Sequence, residues 1–257
     1  MRAIWTGAIG FGLVNIPVKI FSATQDSNID LDMLDKRDHS NIKFQRVNAT
    51  TGDEVSYEDI VKGYKVDDEY VILEDEDFVA ANAKKTKTIE ILEFVMEEEI
   101  DSIYFENPYY LEPDKSGARA YALLREALKS SKKIGVSSFV MRNKESLAVI
   151  KPMDDVLVLN KIRFQEEIRS TEELDLPPVA KLVKDGEMKM ALLLIDQLTK
   201  PFDISQYKDT YKEELLKVIE AKSKGKKVKT VPIRAGAKGT KDLMAQLKAS
   251  LESRKAS

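Results

Sequence analysis

The chain has 257 residues, of which 43% are apolar and 33% are charged, a composition that suits one large folded domain with or without an appendage. It contains no cysteine and a single histidine, which excludes thiol nucleophiles, cysteine-built zinc sites and most histidine-based triads within one chain. It also lacks a run of about 18 uninterrupted apolar residues, so we expect no membrane-spanning helix.

The amino-terminal segment, residues 1–23, predicts two paired strands. Every second residue from Val14 to Ile20 is apolar, as on a strand with one buried face. Residues 3–9 repeat the alternation, and the Gly-Phe-Gly at residues 10–12 permits a reversal between the strands. We expect core structure here and not a cleaved leader, because polar residues and a proline interrupt the apolar run.

The segment from residue 26 to residue 111 predicts short elements and then longer strands. Residues 88–96 are apolar on both faces, which favours a central or covered strand. The aromatic residues between positions 102 and 111 are expected to fill a core, with a subunit interface and base stacking as alternatives. We also expect a strand over residues 43–47, a turn or short helix at residues 56–59, a strand over residues 70–73 and a short helix that begins in the carboxylate run at residues 74–77.

The second half of the chain changes from strands to helices. Residues 116–130 have helical spacing, with Ala120, Tyr121, Leu124 and Leu128 on one stripe. Residues 222–241 are rich in Lys and Gly and are expected to be flexible. We expect strands over residues 134–142, 147–151 and 156–164, helices over residues 187–198 and 207–222, and a last helix after Thr240 with a narrow apolar stripe.

Charge is distributed unevenly along the chain. The net charge is −3, but residues 222–257 hold eleven Lys or Arg against two acidic residues, a net of +9. Residues 1–221 hold 30 Lys or Arg and 42 Asp or Glu, a net of −12. Basic tails commonly bind nucleic acid. An acidic body does not exclude DNA binding, because phosphate contact depends on the local lining of a groove or hole.

Several clusters of basic residues are candidates for phosphate contact, although an ordinary solvated surface is the simpler explanation for each one alone. Residues two apart on a strand face the same way, which pairs Arg142 with Lys144 and Lys161 with Arg163. The other clusters flank turns or lie in the tail. They are Lys36, Arg37, Lys43 and Arg46, then Lys84, Lys85 and Lys87, and in the tail Lys224, Lys226, Lys227 and Lys229.

Three other motifs have simpler explanations than catalysis or nucleotide binding. His39 lies in a polar, turn-like run and is expected to be an exposed loop residue. The carboxylates at residues 74–77 suit the start of a helix and lack separated ligands from other elements that would complete a metal site. The glycines at residues 7–12 lie between two strands and not between a strand and a helix, so they do not form a dinucleotide fingerprint.

Several stretches of the chain are specific in combination, although each alone is weak. They are MRAIWTGAIGFGLVNIPVKIFSA, KFQRVNATTGDEVSYEDIVKGY, TIEILEFV, IDSIYFENPYYLEPDK, FVMRNKESLAVIKP and EELLKVIEAK. In this order they resemble the bacterial Ku proteins, a family of homodimeric rings that load onto broken ends of double-stranded DNA during non-homologous end joining. The resemblance extends over residues 1–222.

The resemblance implies a mixed β/α fold with a β-barrel core, an extended arm that forms half of a dimeric ring, and a helical carboxyl-terminal portion. It assigns residues 1–180 to the barrel and arm, and residues 181–222 to a helical portion that recruits an ATP-dependent multifunctional DNA ligase of the ligase D type. Residues 223–257 become a flexible basic tail with a short terminal helix. It implies no catalytic activity, no metal and no cofactor, and a cytoplasmic location on the bacterial nucleoid.

The resemblance also assigns roles to the candidate basic residues. It makes Lys36, Arg37, Lys43, Arg46 and Lys62 candidates for the arm part of the ring's lumen, with Arg142 and Lys144 as a second lining segment. A closed ring needs no base readout, because basic side chains meet the sugar-phosphate backbone and topology prevents sideways escape. We therefore expect sequence-independent binding that protects DNA ends. Two other classes remain open from the residues alone, namely a metal-dependent nuclease that uses acidic clusters and a protein-only adaptor.

Overall fold

The computed structural model describes residues 1–81, 87–141, 144–178, 183–226 and 243–255. Its contacts divide the chain into two units, Met1–Ser170 and Thr171–Ser257. The first unit contains a closed β-barrel, and the fold is mixed β/α, as predicted. The strands are β1 (Trp5–Phe11), β2 (Val14–Ser22), β3 (Lys62–Val66), β4 (Glu69–Leu73), β5 (Thr88–Met96), β6 (Phe105–Pro113), β7 (Lys133–Met141), β8 (Lys144–Met153) and β9 (Val156–Ile162).

Seven of these strands close the barrel in the order β1-β2-β6-β9-β8-β7-β5. Each neighbouring pair is antiparallel except β1 and β5, which are parallel. An odd number of strands cannot alternate in direction all the way around a closed sheet, so one parallel pair is required. Residues Ala8–Gly10 of β1 form it with residues 88–90 of β5.

The predicted amino-terminal strand pair supplies much of the barrel's interior. Ile16, Val18 and Ile20 of β2 are fully buried, whereas the residues between them are partly exposed. The chain reverses at Gly12, whose φ of 57° lies in the left-handed region that glycine adopts without steric cost. Full burial of an Ile or Val side chain contributes roughly 1.5–3 kcal/mol, so the alternation is a large part of why this segment folds as a barrel strand.

Helix α1 (Asp75–Ala81) begins in the predicted carboxylate run, and helix α2 (Ala118–Ser131) packs against the barrel. The predicted stripe of α2 is confirmed, since Tyr121, Leu124 and Leu128 are buried in the same cluster as the barrel interior. The Tyr121 hydroxyl donates to the Leu111 carbonyl at 2.7 Å and accepts from the Leu157 N–H at 2.6 Å. Burial raises the pKa of Tyr121.

A second apolar cluster explains the aromatic run before and within β6. Buried Ile134, Val149 and Ile162 pack with Tyr104 and Phe105. The core role predicted for these aromatics is therefore confirmed for this pair of rings. The register between β6 and β9 shifts between residues 105 and 108, which accommodates the proline at position 108 within a strand.

Residues 23–81, called the arm below, leave the barrel after β2 and return to it before β5. The arm contains β3 and β4, which form a separate two-stranded sheet, and helix α1. The strand predicted over residues 43–47 is wrong, because only a single bridge joins Val47 to Glu54 and no neighbouring strand continues it among the described residues. Strand β3 was not predicted.

The second unit is helical, as predicted. The helices among its described residues are α3 (Asp185–Leu198), α4 (Thr210–Ser223) and α5 (Leu243–Lys255), and α3 packs against α5. Asp209 caps the start of α4, because its side chain accepts from the Lys212 N–H at 3.0 Å and so satisfies a free donor of the first turn. No helix of the described residues is long and apolar enough to cross a membrane.

Candidate nucleic-acid interface

Strand direction brings three of the predicted basic residues to one end of the barrel. β1, β5, β6 and β8 begin at this end, and β2, β7 and β9 finish there. It is therefore the end at which the arm leaves and returns, and we call it the arm end. Lys144 starts β8, and Lys161 and Arg163 lie at the end of β9. Helix α2 packs near the opposite end, which we call the helix end.

The basic residues of the arm end have acidic partners. Glu106 lies 2.8 Å from the Lys161 ammonium and 3.4 Å from the Arg163 guanidinium, and all three side chains are at least partly buried. Arg163 also donates to the carbonyls of Ile103 and Phe105, at 3.0 and 2.9 Å. Arg163 therefore has a structural role besides carrying a positive charge, because it holds the start of β6 against the end of β9.

The ion pair of Lys144 is longer and more exposed than that of Lys161. Its ammonium lies 3.4 Å from Glu167, in the short turn that follows β9. The Phe164 N–H donates to the same carboxylate at 2.9 Å and lowers the pKa of Glu167, and Lys144 acts in the same direction. An exposed pair of this kind contributes little to stability, so a phosphate oxygen can replace Glu167 at small cost.

The arm differs from the barrel because none of its residues is buried. Its charges are also segregated along the sequence. Residues 36–46 hold four basic residues and one acidic residue, whereas residues 23–35 hold four Asp and no basic residue. Residues 47–81 hold eleven Asp or Glu against two Lys. The arm therefore carries one basic segment, residues 36–46, between two acidic ones.

The predicted cations of the arm have varied surroundings. Arg37 is bound to Asp35, with one N–O distance of 2.6 Å; their hydrogen bond lowers the pKa of Asp35 and raises that of Arg37. The Arg46 guanidinium lies 5.3 Å from the centre of the Tyr57 ring, and the Lys62 ammonium lies 4.5 Å from that of Phe78. Within the part of the chain that the structure describes, neither Lys36 nor Lys43 has an ion-pair partner.

Comparison with known proteins identifies the family. The sequence model of one protein family, the Ku70/Ku80 β-barrel domain, matches residues 10–190 of the chain. The chain belongs to the Ku family.

Relatives named non-homologous end joining protein Ku align with this Ku chain over most of its length. The Bacillus subtilis protein is 38% identical over 255 residues, which are 98% of this chain and 82% of that protein. The Archaeoglobus fulgidus protein is 40% identical over 253 residues, 98% of this chain and 99% of the relative. The Pseudomonas aeruginosa protein is 41% identical over 226 residues, 86% and 77% of the two chains.

A solved structure, the SPOC domain of human PHD-finger protein 3, covers 63% of this Ku chain and 95% of its own length. Its TM-score is 0.30 and its identity 12%, a likeness too weak to support a conclusion about this chain.

Most of the other predicted basic residues of this Ku chain lie just after α4 or outside the described residues. Lys224 pairs with Glu220 at 2.5 Å just after α4, and the backbone N–H of Lys226 donates to the Ala221 carbonyl. Arg142, Lys227 and Lys229 lie outside the described residues, as do Lys84, Lys85 and the stretch predicted to be flexible beyond residue 226.

Inspection of the Ku sequence alone missed the carboxylates that face these cations. Glu106 lies far from Lys161 in sequence, and Glu167 lies far from Lys144, so local pattern gives no sign of either pair. A strand-pairing scheme would have found Glu106, because β6 lies beside β9. Within the described ranges, no group of three or more His, Asp or Glu side chains is placed to hold a metal ion.

Proposed function

We propose that this Ku-family chain forms a homodimeric ring that binds the ends of double-stranded DNA without regard to sequence. It protects breaks and recruits an ATP-dependent multifunctional DNA ligase for non-homologous end joining, in the cytoplasm on the bacterial nucleoid. Relatives aligned over 98% of the chain carry the name of that repair process, which supports the biological role. The ring itself is supported chiefly by one observation, the exposed apolar surface of the arm.

The arm exposes many large apolar side chains to water, which is unfavourable if nothing covers them. A two-stranded hairpin such as β3-β4 is marginally stable by itself. Extended apolar surfaces on soluble proteins usually mark interaction sites. A second copy of the chain can cover this surface through an isologous contact, since two-fold dimers are the commonest oligomers. The exposed side chains include Phe44, Tyr57, Val61, Tyr64, Tyr70, Val71 and Ile72, each between 50% and 81% exposed.

The proposed DNA contacts are the predicted cations, and the arm supports two of them best. Lys36 and Lys43 lie in the basic segment without an ion-pair partner among the described residues, so their charges are available to phosphates. Lys144, Lys161 and Arg163 lie at the arm end of the barrel, where the arm leaves and returns. Backbone contact by cations of this kind gives affinity without base readout.

The proposed ligase contact lies in residues 181–222, with a barrel and arm portion over residues 1–180 and a tail over residues 223–257. Helix α3 in this portion is apolar on more than one face. Leu192, Leu193 and Ile195 are 56–60% exposed, although α3 also packs against α5. A helix that is apolar on several sides requires a partner to cover it.

The deciding experiment compares linear and relaxed circular duplex of one sequence in a gel-shift series, with magnesium or manganese and with chelator. We expect the full chain to shift the linear duplex, to leave the circle unshifted and to cleave neither, because a ring threads only over an end. Equal affinity for the two DNAs would contradict the ring. Strand cleavage that requires metal would favour a nuclease, and the lack of any shift at moderate salt would favour a protein-only adaptor.

A further inference from the structure

The only tryptophan of the chain joins two parts of the barrel that are 135 residues apart. Trp5 lies at the start of β1 and packs against the barrel core. Its indole N–H donates to the Val140 carbonyl at 3.1 Å. Its ring meets Phe139 edge to face, with centroids 6.4 Å apart and planes at 86°. Because β5 lies between β1 and β7, the hydrogen bond reaches across the position of an intervening strand.

The indole lies in space that a glycine leaves open. A Cβ atom at Gly7 would lie 2.2 Å from the Trp5 ring and 2.2 Å from the Lys87 carbonyl, so no other residue fits without displacing both. The same Lys87 carbonyl accepts from the Ala8 N–H at 2.9 Å. Lys87 directly precedes β5. Trp5 therefore lies where the start of β1, the end of β7 and the start of β5 meet.

The indole N–H gives the Val140 carbonyl a donor beyond the last residue pair of β5 and β7. Pairing between β5 and β7 stops at Glu90 and Ser138, and Val140 lies two residues further along β7. On the other side, β7 stays paired with β8 up to Met141 and Lys144. The indole thus fixes the last residues of β7 on the side where β5 provides no pairing. Lys144 is the β8 residue that pairs with Met141.

We propose that Trp5 is a positioning residue for DNA contact. Its indole N–H fixes the end of β7, and with it the start of β8, against the start of β1 and so sets where the Lys144 ammonium faces the duplex. This inference rests on the proposed function. Trp5 is not required to touch DNA, and the barrel has its fully buried interior at other residues such as Ile16, Ile150 and Leu159.

The test removes the indole N–H donor and keeps an aromatic side chain at position 5. In Trp5→Phe the edge contact with Phe139 remains possible, but no hydrogen bond reaches Val140. Because Trp5 is the only tryptophan, replacement of tryptophan by 3-benzothienylalanine, in which sulfur replaces the N–H, changes this position alone and preserves its shape. For both variants we expect weaker binding of a labelled linear duplex. The logarithm of the binding constant should also fall less steeply with the logarithm of the salt concentration, by about 0.9 in slope for each phosphate that the chain no longer neutralises.

Phe139→Leu is the matched control, since it removes packing beside the indole and leaves the N–H donor in place. We expect it to lower the melting temperature while the salt slope stays that of the unaltered chain. If the two donor-free variants lower only the melting temperature and keep the salt slope, Trp5 is merely structural and the inference is overturned. If the unaltered chain fails to prefer linear duplex over circles, the proposed function fails instead, and the two failures are distinguishable.

Discussion

The barrel and the arm place the same residue types in opposite environments. Ile150 of the barrel is fully buried, whereas Ile72 of the arm is 50% exposed. The barrel has a buried apolar interior, which its seven hydrogen-bonded strands and helix α2 form together. The arm has a two-stranded sheet, helix α1 and a 3-10 helix at Tyr57–Asp59, and it buries no residue. One chain thus combines a barrel with a buried interior and an arm whose apolar side chains stay exposed, and the proposed function assigns these side chains to contact with a second copy.

The two regions also differ in how their cations are balanced. At the arm end of the barrel, Lys161 and Arg163 share Glu106, and Lys144 faces Glu167. In the basic segment of the arm, Lys36 and Lys43 have no such partner among the described residues. An unpaired cation binds a phosphate without first losing an intramolecular partner. The arm is therefore expected to contribute more to DNA affinity than the barrel.

The largest expected effect comes from equal truncations in the two regions. We expect Ile150→Ala to lower the free energy of unfolding by about 2–5 kcal/mol at every protein concentration, since it leaves a cavity among fully buried neighbours. Ile72→Ala removes the same atoms from an exposed strand. It should leave the barrel's melting transition nearly unchanged and raise the concentration at which dimers form. Denaturant unfolding and sedimentation at several concentrations measure the two quantities.

The matched pair breaks the comparison if its outcomes are exchanged or equal. Loss of several kcal/mol in Ile72→Ala at concentrations where the chain is monomeric would mean that the arm has a core of its own. Unchanged dimerisation in Ile72→Ala, with a folded barrel, would remove this face of the hairpin from the proposed contact between copies.

The strands of the barrel were predictable because they signal their buried face locally, whereas the barrel that they form was implied only by the family resemblance. Alternation from Val14 to Ile20 and the stripe of α2 each depend on residues within a few positions of one another. In the arm, local pattern predicted β4 and the start of α1 but did not predict β3. Residues 43–47 have the composition of a strand, but a strand forms only beside a partner, and here the pairing is limited to one bridge. At residues 43–47 local propensity therefore failed, because no neighbouring strand pairs with them.

The candidate site was predictable in its residue types but not in its arrangement. Pairs such as Lys161 and Arg163 follow from strand spacing. Their gathering with Lys144 at one barrel end depends on the order of seven strands, which no local pattern specifies. The same is true of Trp5, whose acceptor lies on β7.

A charge reversal in the arm sharpens the electrostatic side of the comparison. In Lys36→Glu with Lys43→Glu, we expect weaker binding of linear duplex of any sequence and a salt slope shallower by about 1.8, because two phosphates are no longer neutralised. Fluorescence anisotropy over a series of salt concentrations measures it.

The control for this charge reversal is Lys129→Glu with Lys133→Glu. It changes the net charge equally at the helix end of the barrel, where α2 finishes and β7 begins. The same loss of affinity and slope in this control would mean that net charge governs binding and that the arm has no special role.

The smallest expected effect is the acid titration of Glu167, which tests whether the barrel's cations are engaged in solution. The Phe164 N–H and, to a lesser degree, Lys144 hold the pKa of Glu167 below its ordinary value. A lowered carboxyl pKa stabilises the fold above the unfolded value, and this contribution is lost as the pH falls through the folded value. Carbon-13 NMR of the side-chain carboxyl should show the lowered pKa, and Lys144→Gln should remove only part of this lowering because the Phe164 donor remains. An ordinary titration in the unaltered chain would mean that Lys144 is as free as Lys36 and Lys43, and the electrostatic distinction between barrel and arm would fail for this residue.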